Sequence, residues 1–297
     1  MLNPTHKRDG LSDERRFIAS ENIKNLTVVG NGSFDAGIEF RLHSIYGDQI
    51  WRKLLRAGIT PEIFKNMNVL EVCAGSGFLA YHLLNRTSSL TYTLNDISEL
   101  ELQRAKSLLS RTVDLEDIEY IHGNMYEVEF SKKFDLIIGN SFLHHFYDVT
   151  RALKRIRSFL ANDGIFMSCH EPTPMATVLE SGKILAYPFA LFAPKLVNEI
   201  ARYRHKGAPS DTDIWMFSAS ELERLAIESG YGFAHCFASN LFQALTVNKY
   251  AIHLAESKPI LSPLELQKLE LAIDADLKLA RFLPSRFFSS LSLVATE

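Results

Sequence analysis

Val69-Leu70-Glu71-Val72-Cys73-Ala74-Gly75-Ser76-Gly77 runs from an apolar stretch into a glycine-rich turn, and Phe78-Leu79-Ala80 continues it at helical spacing. A strand that ends in such a turn and feeds a helix brings backbone N–H groups close to a ligand, because glycine removes the side-chain obstruction. Working outward, the same alternation recurs. Leu90–Leu94 is predicted as a second strand. Ser98 caps a helix to about Ser110, with Glu101 completing a capping box. Glu119–His122 and Phe134–Gly139 are the third and fourth strands, the latter a continuous apolar run that suits a strand covered on both faces. A basic helix over Val149–Leu160 leads through Asn162-Asp163-Gly164 to a fifth strand, Ile165–His170. Strands alternating with helices imply a parallel sheet with right-handed crossovers.

The alternation breaks after Pro172. Residues 173–215 hold Pro174, Pro188, Pro194 and Pro209 between aromatic patches, including Tyr187, Phe189, Phe192, Tyr203 and Trp215, and are expected to form an inserted cap. A helix beginning at Ser218-Ala219-Ser220-Glu221, a sixth strand over Phe233–Phe237, and a second insertion at about 240–285 follow. In the second insertion Ser262 and Pro263 open a helix. Ser290–Thr296 is the last strand. The expected domain organisation is an N-terminal helical cap over 1–66, with a helix that Gly58 stops, and a core over 67–297 carrying both insertions.

Composition narrows the function classes. With 297 residues and 46% apolar content the chain can bury a sizeable core. A net charge of −3 gives no broad basic surface for nucleic acid, and the basic runs Lys154–Arg157 and Arg202–Lys206 are short. Cys73, Cys169 and Cys236 form no CxxC pair, which favours small buried residues in a reducing compartment over a disulfide or zinc framework. Neither a signal peptide nor a membrane span is expected, so the chain is read as cytoplasmic. No metal is expected. The oligomeric state is open, a homodimer included.

The glycine turn and Asp96, about 20 residues on at the end of the second strand, together point to a nucleoside cofactor, the carboxylate accepting from ribose hydroxyls. Gly75-Ser76-Gly77-Phe78-Leu79-Ala80 also fits the G-x-G-x-x-A pattern of nicotinamide dinucleotide sites. Charge separates the two. Glu71 before the loop would repel a pyrophosphate but could help to hold an ammonium group, directly or through water. A leader of about 70 residues suits a substrate cap better than a dehydrogenase.

Residues 68–170 resemble the core of class I S-adenosylmethionine-dependent methyltransferases. Val69–Gly77 resembles that family's first motif, with Cys73 where the usual first glycine stands; Asp96 matches its ribose-binding acid. Gly123-Asn124-Met125 resembles the stretch that receives the adenine, and Phe134–Phe146 resembles the fourth motif. The resemblance implies a doubly wound, Rossmann-like α/β fold with a seven-stranded sheet, its last strand antiparallel, and helical cap insertions. It implies S-adenosylmethionine as cofactor, with Glu71, Cys73, Gly75, Gly77, Asp96, Ile97, Asn124, Met125, Asn140 and Ser141 as its contacts and Arg41 available for its carboxylate. Phe34 and Tyr46 could close over it. The expected reaction is methylation of a small or medium-sized organic acceptor at oxygen, nitrogen or carbon by in-line displacement. His144, His145, His170 and Glu171 are the candidate catalytic groups at the strand ends. Asn140-Ser141-Phe142-Leu143 lacks the two prolines of the amino-methylating nucleic-acid enzymes, which argues against DNA or RNA. The alternatives are an NAD(P)-dependent oxidoreductase and a non-catalytic nucleoside-binding protein on the same fold.

Overall fold

A computed structural model of the chain describes residues 47–89, 91–110, 118–146, 148–176, 216–242 and 263–297. The expected contacts Phe34, Arg41 and Tyr46 lie outside the described residues, as does most of each insertion (177–215 and 243–262, including Ser262).

Seven strands form one sheet: β1 (Asn68–Val72), β2 (Thr91–Asp96), β3 (Ile118–His122), β4 (Phe134–Asn140), β5 (Leu160–Pro172), β6 (Phe233–Ser239) and β7 (Ser290–Thr296). Their order is β3-β2-β1-β4-β5-β7-β6. The pairs among β1 to β5 are parallel, and β7 runs antiparallel to both β5 and β6. The strand order reverses between β1 and β4, where open α/β sheets bind ligands beyond the carboxyl ends of the strands.

Alternation along the strands divides the core into two layers. One face presents Val69, Tyr92, Leu94, Leu136, Ile138, Met167 and Val294 to four helices. These are α1 (47–56), α2 (Pro61–Lys65), α3 (Phe78–Leu84) and α4 (Glu99–Leu109). The other presents Leu70, Val72, Ile137, Phe166, Leu291, Leu293 and Ala295 to α5 (Val149–Arg157) and α6 (Ala219–Glu228). In α5 the buried residues Val149, Ala152, Leu153 and Ile156 recur at helical spacing. Asp148 caps its first turn by accepting from Arg151 N at 2.9 Å. A further helix, α7 (Pro263–Leu279), starts on its proline, and its buried Asp276 accepts from Leu241 N and Phe242 N at the end of β6. No helix among the described residues is long and apolar enough to cross a membrane.

Three local expectations need correction. The basic helix ends at Arg157 rather than Leu160, because Leu160 pairs with Phe134 and opens β5. The 162–164 turn is a bulge inside that strand, with Asp163 at φ 62°. The capping box at Ser98 is half made: its side chain accepts from Glu101 N at 3.3 Å. Glu101 does not reciprocate. Its carboxylate is taken by the Ser76 hydroxyl and Arg104, while Ser98 N donates to Asp96 Oδ1 at 2.8 Å.

Candidate active site

The turn after β1 is built from left-handed backbone. Cys73, Gly75 and Gly77 have φ of 51°, 52° and 75°. The two glycines do different work. A side chain at Gly77 would meet Ala105 Cβ at 2.7 Å, so that glycine lets α3 start against α4. At Gly75 nothing lies within 4 Å of where a Cβ would stand, so the turn presents bare backbone to open space. Cys73 takes a conformation that costs an ordinary residue about 1–2 kcal/mol. The departure from the first motif is therefore a strained residue, with its side chain exposed at the turn.

Asp96 closes this turn. It is 8% exposed, accepts from Gly75 N at 2.8 Å through Oδ2 and from Ser98 N through Oδ1. It thus ties the β1 turn to the start of α4, and each oxygen keeps a lone pair for a further donor. Burial raises its pKa. Glu71 is the surprise of the site. It is fully buried, accepts from Tyr92 Oη at 2.6 Å, and burial pushes its carboxyl up to about 8. At neutral pH the group is mostly protonated. The charge reading of Glu71 therefore holds only if a ligand cation ionises it.

On the β3 side, Asn124 spends its side-chain oxygen on Tyr126 N at 3.0 Å, shaping its own turn. Met125 is buried in the core, and Ile97 is half-buried with its carbonyl 3.1 Å from His122 Nε2. Beyond β4, Ser141 sits at φ 57° with its side chain exposed and its N–H donating to Cys169 O at 2.7 Å.

Glu171 does not face open space. Its buried carboxylate accepts from Phe142 N, Leu143 N and His144 N at 3.0–3.2 Å, from the Ser168 hydroxyl, and from His144 Nδ1 at 2.8 Å. Burial alone would raise its pKa. The hydrogen bond and ion pair with His144, with Ser168 and the Leu143 N–H, outweigh that and hold it below the usual carboxylate range. His144 is itself buried and packs at a tilt against half-buried His145, with ring centroids 4.0 Å apart. His170 at the end of β5 has φ 56° and reaches Asn140 Oδ1 through Nδ1 and Gln49 Oε1 through Nε2, each at 2.6 Å.

Gln49, with Lys53 one turn along α1, escapes a motif-based reading. Both are fully buried. Lys53 Nζ donates to Ser239 Oγ at 2.9 Å and Ser292 Oγ at 2.8 Å, and burial lowers its pKa to about 8. The signal was present: two long polar side chains four residues apart beside the apolar stripe of Ile50 and Leu54.

A sheet of this order, with one antiparallel strand inserted next to the edge, is the architecture of class I methyltransferases. Residues 63–188 match the family model described as a methyltransferase domain. Over 93 residues it is 33% identical to a malonyl-[acyl-carrier protein] O-methyltransferase of Neorickettsia risticii, covering 31% of this chain and 35% of that one. Among solved structures it is similar to magnesium protoporphyrin IX methyltransferase of Synechocystis, solved with bound S-adenosylhomocysteine. The TM-score is 0.52 and the identity 12%, over 97% of this chain and 100% of the other. It is also similar to phosphoethanolamine N-methyltransferase 2 of Haemonchus contortus, with a TM-score of 0.50 and 15% identity over 78% and 49% of the two chains. At such identities the structural likeness speaks to fold. The matched stretch spans only 5–40% of the length of the curated relatives.

Proposed function

We propose that this chain transfers a methyl group from S-adenosylmethionine to a small or medium-sized organic acceptor. One observation carries the reading. At the reversal of strand order, a left-handed turn with bare backbone at Gly75 closes onto the buried carboxylate of Asp96. A nucleoside fits this cradle: Asp96 has lone pairs left for ribose hydroxyls, and Gly75 puts no side chain in the way. Glu71 would meet the ammonium of the amino-acid part, gaining its charge as the cation arrives. Asn140 and Ser141 line the β4 end of the same cleft, and Arg41 is retained as a contact for the carboxylate.

When bound, S-adenosylmethionine supplies an electrophilic methyl group whose sulfur leaves as a neutral thioether. The chain's own task is then alignment and exclusion of water. Glu171 does this at one remove: by collecting three N–H groups it fixes the loop after β4 against β5. It also orients His144, whose Nδ1 lies 2.8 Å from the Glu171 Oε2. His144 is our proposed base for an acceptor that must lose a proton, with His145 packed against it. The similar proteins are named for a malonyl carrier, phosphoethanolamine and a magnesium porphyrin, which differ in size and chemistry, so the reading stays at the class of organic acceptor. The net charge of −3 favours such an acceptor over nucleic acid, and we place the protein in the cytoplasm.

Thermal shift with S-adenosylhomocysteine and with NADH, on wild type and Asp96→Ala, tests the reading. S-adenosylhomocysteine should raise the Tm of wild type, NADH should not, and Asp96→Ala should abolish the shift. Stabilisation by NADH alone would overturn the proposal.

A further inference from the structure

The histidine at the end of β5 is held in an unusual way. His170 adopts a left-handed backbone and is 8% exposed, with its ring between the end of β4 and helix α1. Nδ1 lies 2.6 Å from Asn140 Oδ1, and Nε2 lies 2.6 Å from Gln49 Oε1. Gln49 is fully buried, and its own Nε2 donates to Asn240 Oδ1 at 3.1 Å. That second bond turns the Gln49 amide nitrogen to Asn240 and its oxygen to the imidazole. Asn240 is in turn set at φ 66°, with its carbonyl accepting from Ser289 N and Ser289 Oγ. A ring whose two nitrogens both face carbonyl oxygens makes both bonds only with a proton on each nitrogen.

We propose that Gln49 is a positioning residue that, backed by Asn240, holds His170 as a doubly protonated imidazolium and so fixes the Asn140 amide with its Nδ2 turned to the cleft. His170 is then a donor strut between α1 and the cofactor strand, and the task of proton acceptor falls to His144. The carboxylate nearest in the chain serves other donors, so the two carbonyl oxygens themselves must offset the desolvation of the imidazolium. Glu171, the next residue of β5, has its carboxylate turned to the β4 loop, and Lys53, one turn along α1, has its ammonium between Ser239 and Ser292. The role of Asn140 toward a ligand rests on the methyltransferase reading; the state of the ring does not.

Long-range proton–nitrogen NMR spectra of the full chain, labelled at histidine and assigned with His170→Asn, read the ring directly. At pH ~7.5 an unconstrained imidazole is mostly neutral. The wild type should instead show both His170 nitrogens protonated. Gln49→Glu keeps an oxygen facing the ring and should preserve that signature. Gln49→Leu should return a neutral ring with one unprotonated nitrogen, and should weaken S-adenosylhomocysteine binding by calorimetry by about 5–10-fold, roughly one hydrogen bond. An unprotonated His170 nitrogen in the wild type at that pH would overturn the proposal, and needs no variant to fold. So would a Gln49→Leu protein with unchanged ring signals and affinity. If the wild type fails to bind S-adenosylhomocysteine while its ring is doubly protonated, the cofactor reading falls and the inference stands.

Discussion

Replacing Glu71 with glutamine isolates the least expected group of the site. Its carboxyl lies near 8 instead of the ordinary 4.5, chiefly through burial. A folded-state pKa above the unfolded one means that the native state binds the extra proton, so stability is full below about 4.5 and is lost as pH rises toward 8. One pKa unit is worth about 1.4 kcal/mol, which makes the full shift an upper bound of about 5 kcal/mol. Relaxation and water entry should reduce this to ~1–3 kcal/mol. Glutamine keeps an oxygen for Tyr92 Oη, at 2.6 Å in the wild type, and has no proton to lose. Urea denaturation of the two proteins at pH ~4 and ~8.5 should therefore give near-equal stability in acid. Glu71→Gln should be ahead by ~1–3 kcal/mol in base, a rise of roughly 3–10 °C in Tm. The same variant should bind S-adenosylhomocysteine about tenfold more weakly, because its ammonium no longer finds a carboxylate that can ionise. Parallel stability curves across this range would refute the assignment of a neutral, buried Glu71.

Lys53 shows the opposite sign. With its pKa lowered to about 8, the native state holds fewer protons than the unfolded chain between 8 and 10.5, so wild-type stability should rise through that window and Lys53→Met should be flat across it, as followed by thermal melts. Cys73→Gly should raise stability by ~0.5–1 kcal/mol by relieving the left-handed backbone, whereas Cys73→Ala should give no such gain in the same denaturation assay. Glu171→Gln should cost ~3–5 kcal/mol, since an amide cannot accept from all the donors that now converge on the carboxylate. The folded pKa of Glu171 is depressed, so its stabilising effect is present above the ordinary carboxylate value and lost in acid; the variant should lose this acid dependence.

What could be read from the chain was local. The last strand was expected and is found over Ser290–Thr296, and the serine cap before Ala219–Glu228 is made by Ser218 accepting from Glu221 N. The strand, glycine turn and acid of the proposed cofactor cradle also follow from neighbours in sequence. What could not be read was which distant partner each buried polar group finds. Glu71 looked like a charge waiting for an ammonium, yet Tyr92 on β2 and the surrounding core make it neutral. Glu171 is a catalytic candidate at a strand end by sequence, yet Ser168 and the loop 142–144 enclose it. Lys53 is satisfied by Ser239 and Ser292, some 190 and 240 residues away. Motif and period describe the backbone; the protonation state of a buried group is set by tertiary contacts that neither encodes.

Most of the strained residues gather at one edge of the sheet. Outside glycine, left-handed backbone occurs among the described residues at Cys73, Ser141, Asp163, His170 and Asn240. Asp163 lies in the bulge early in β5, far in sequence from that strand's carboxyl end, and a single turn explains it. The other four fall at or just past the carboxyl ends of β1, β4, β5 and β6. β1, β4 and β5 are parallel neighbours, and β6, joined to β5 through antiparallel β7, runs the same way, so the four ends lie along one edge of the sheet. At that edge Asp96, Glu71, Glu171 and His170 are buried as well. Strain and buried ionisable groups each oppose folding, and they coincide along this edge. A protein selected for stability alone would place glycine at Cys73 and apolar residues at Glu71 and Lys53. Of the three, Glu71 is the one the proposed site for a charged ligand would use, because a bound ammonium would satisfy the carboxylate whose burial opposes folding.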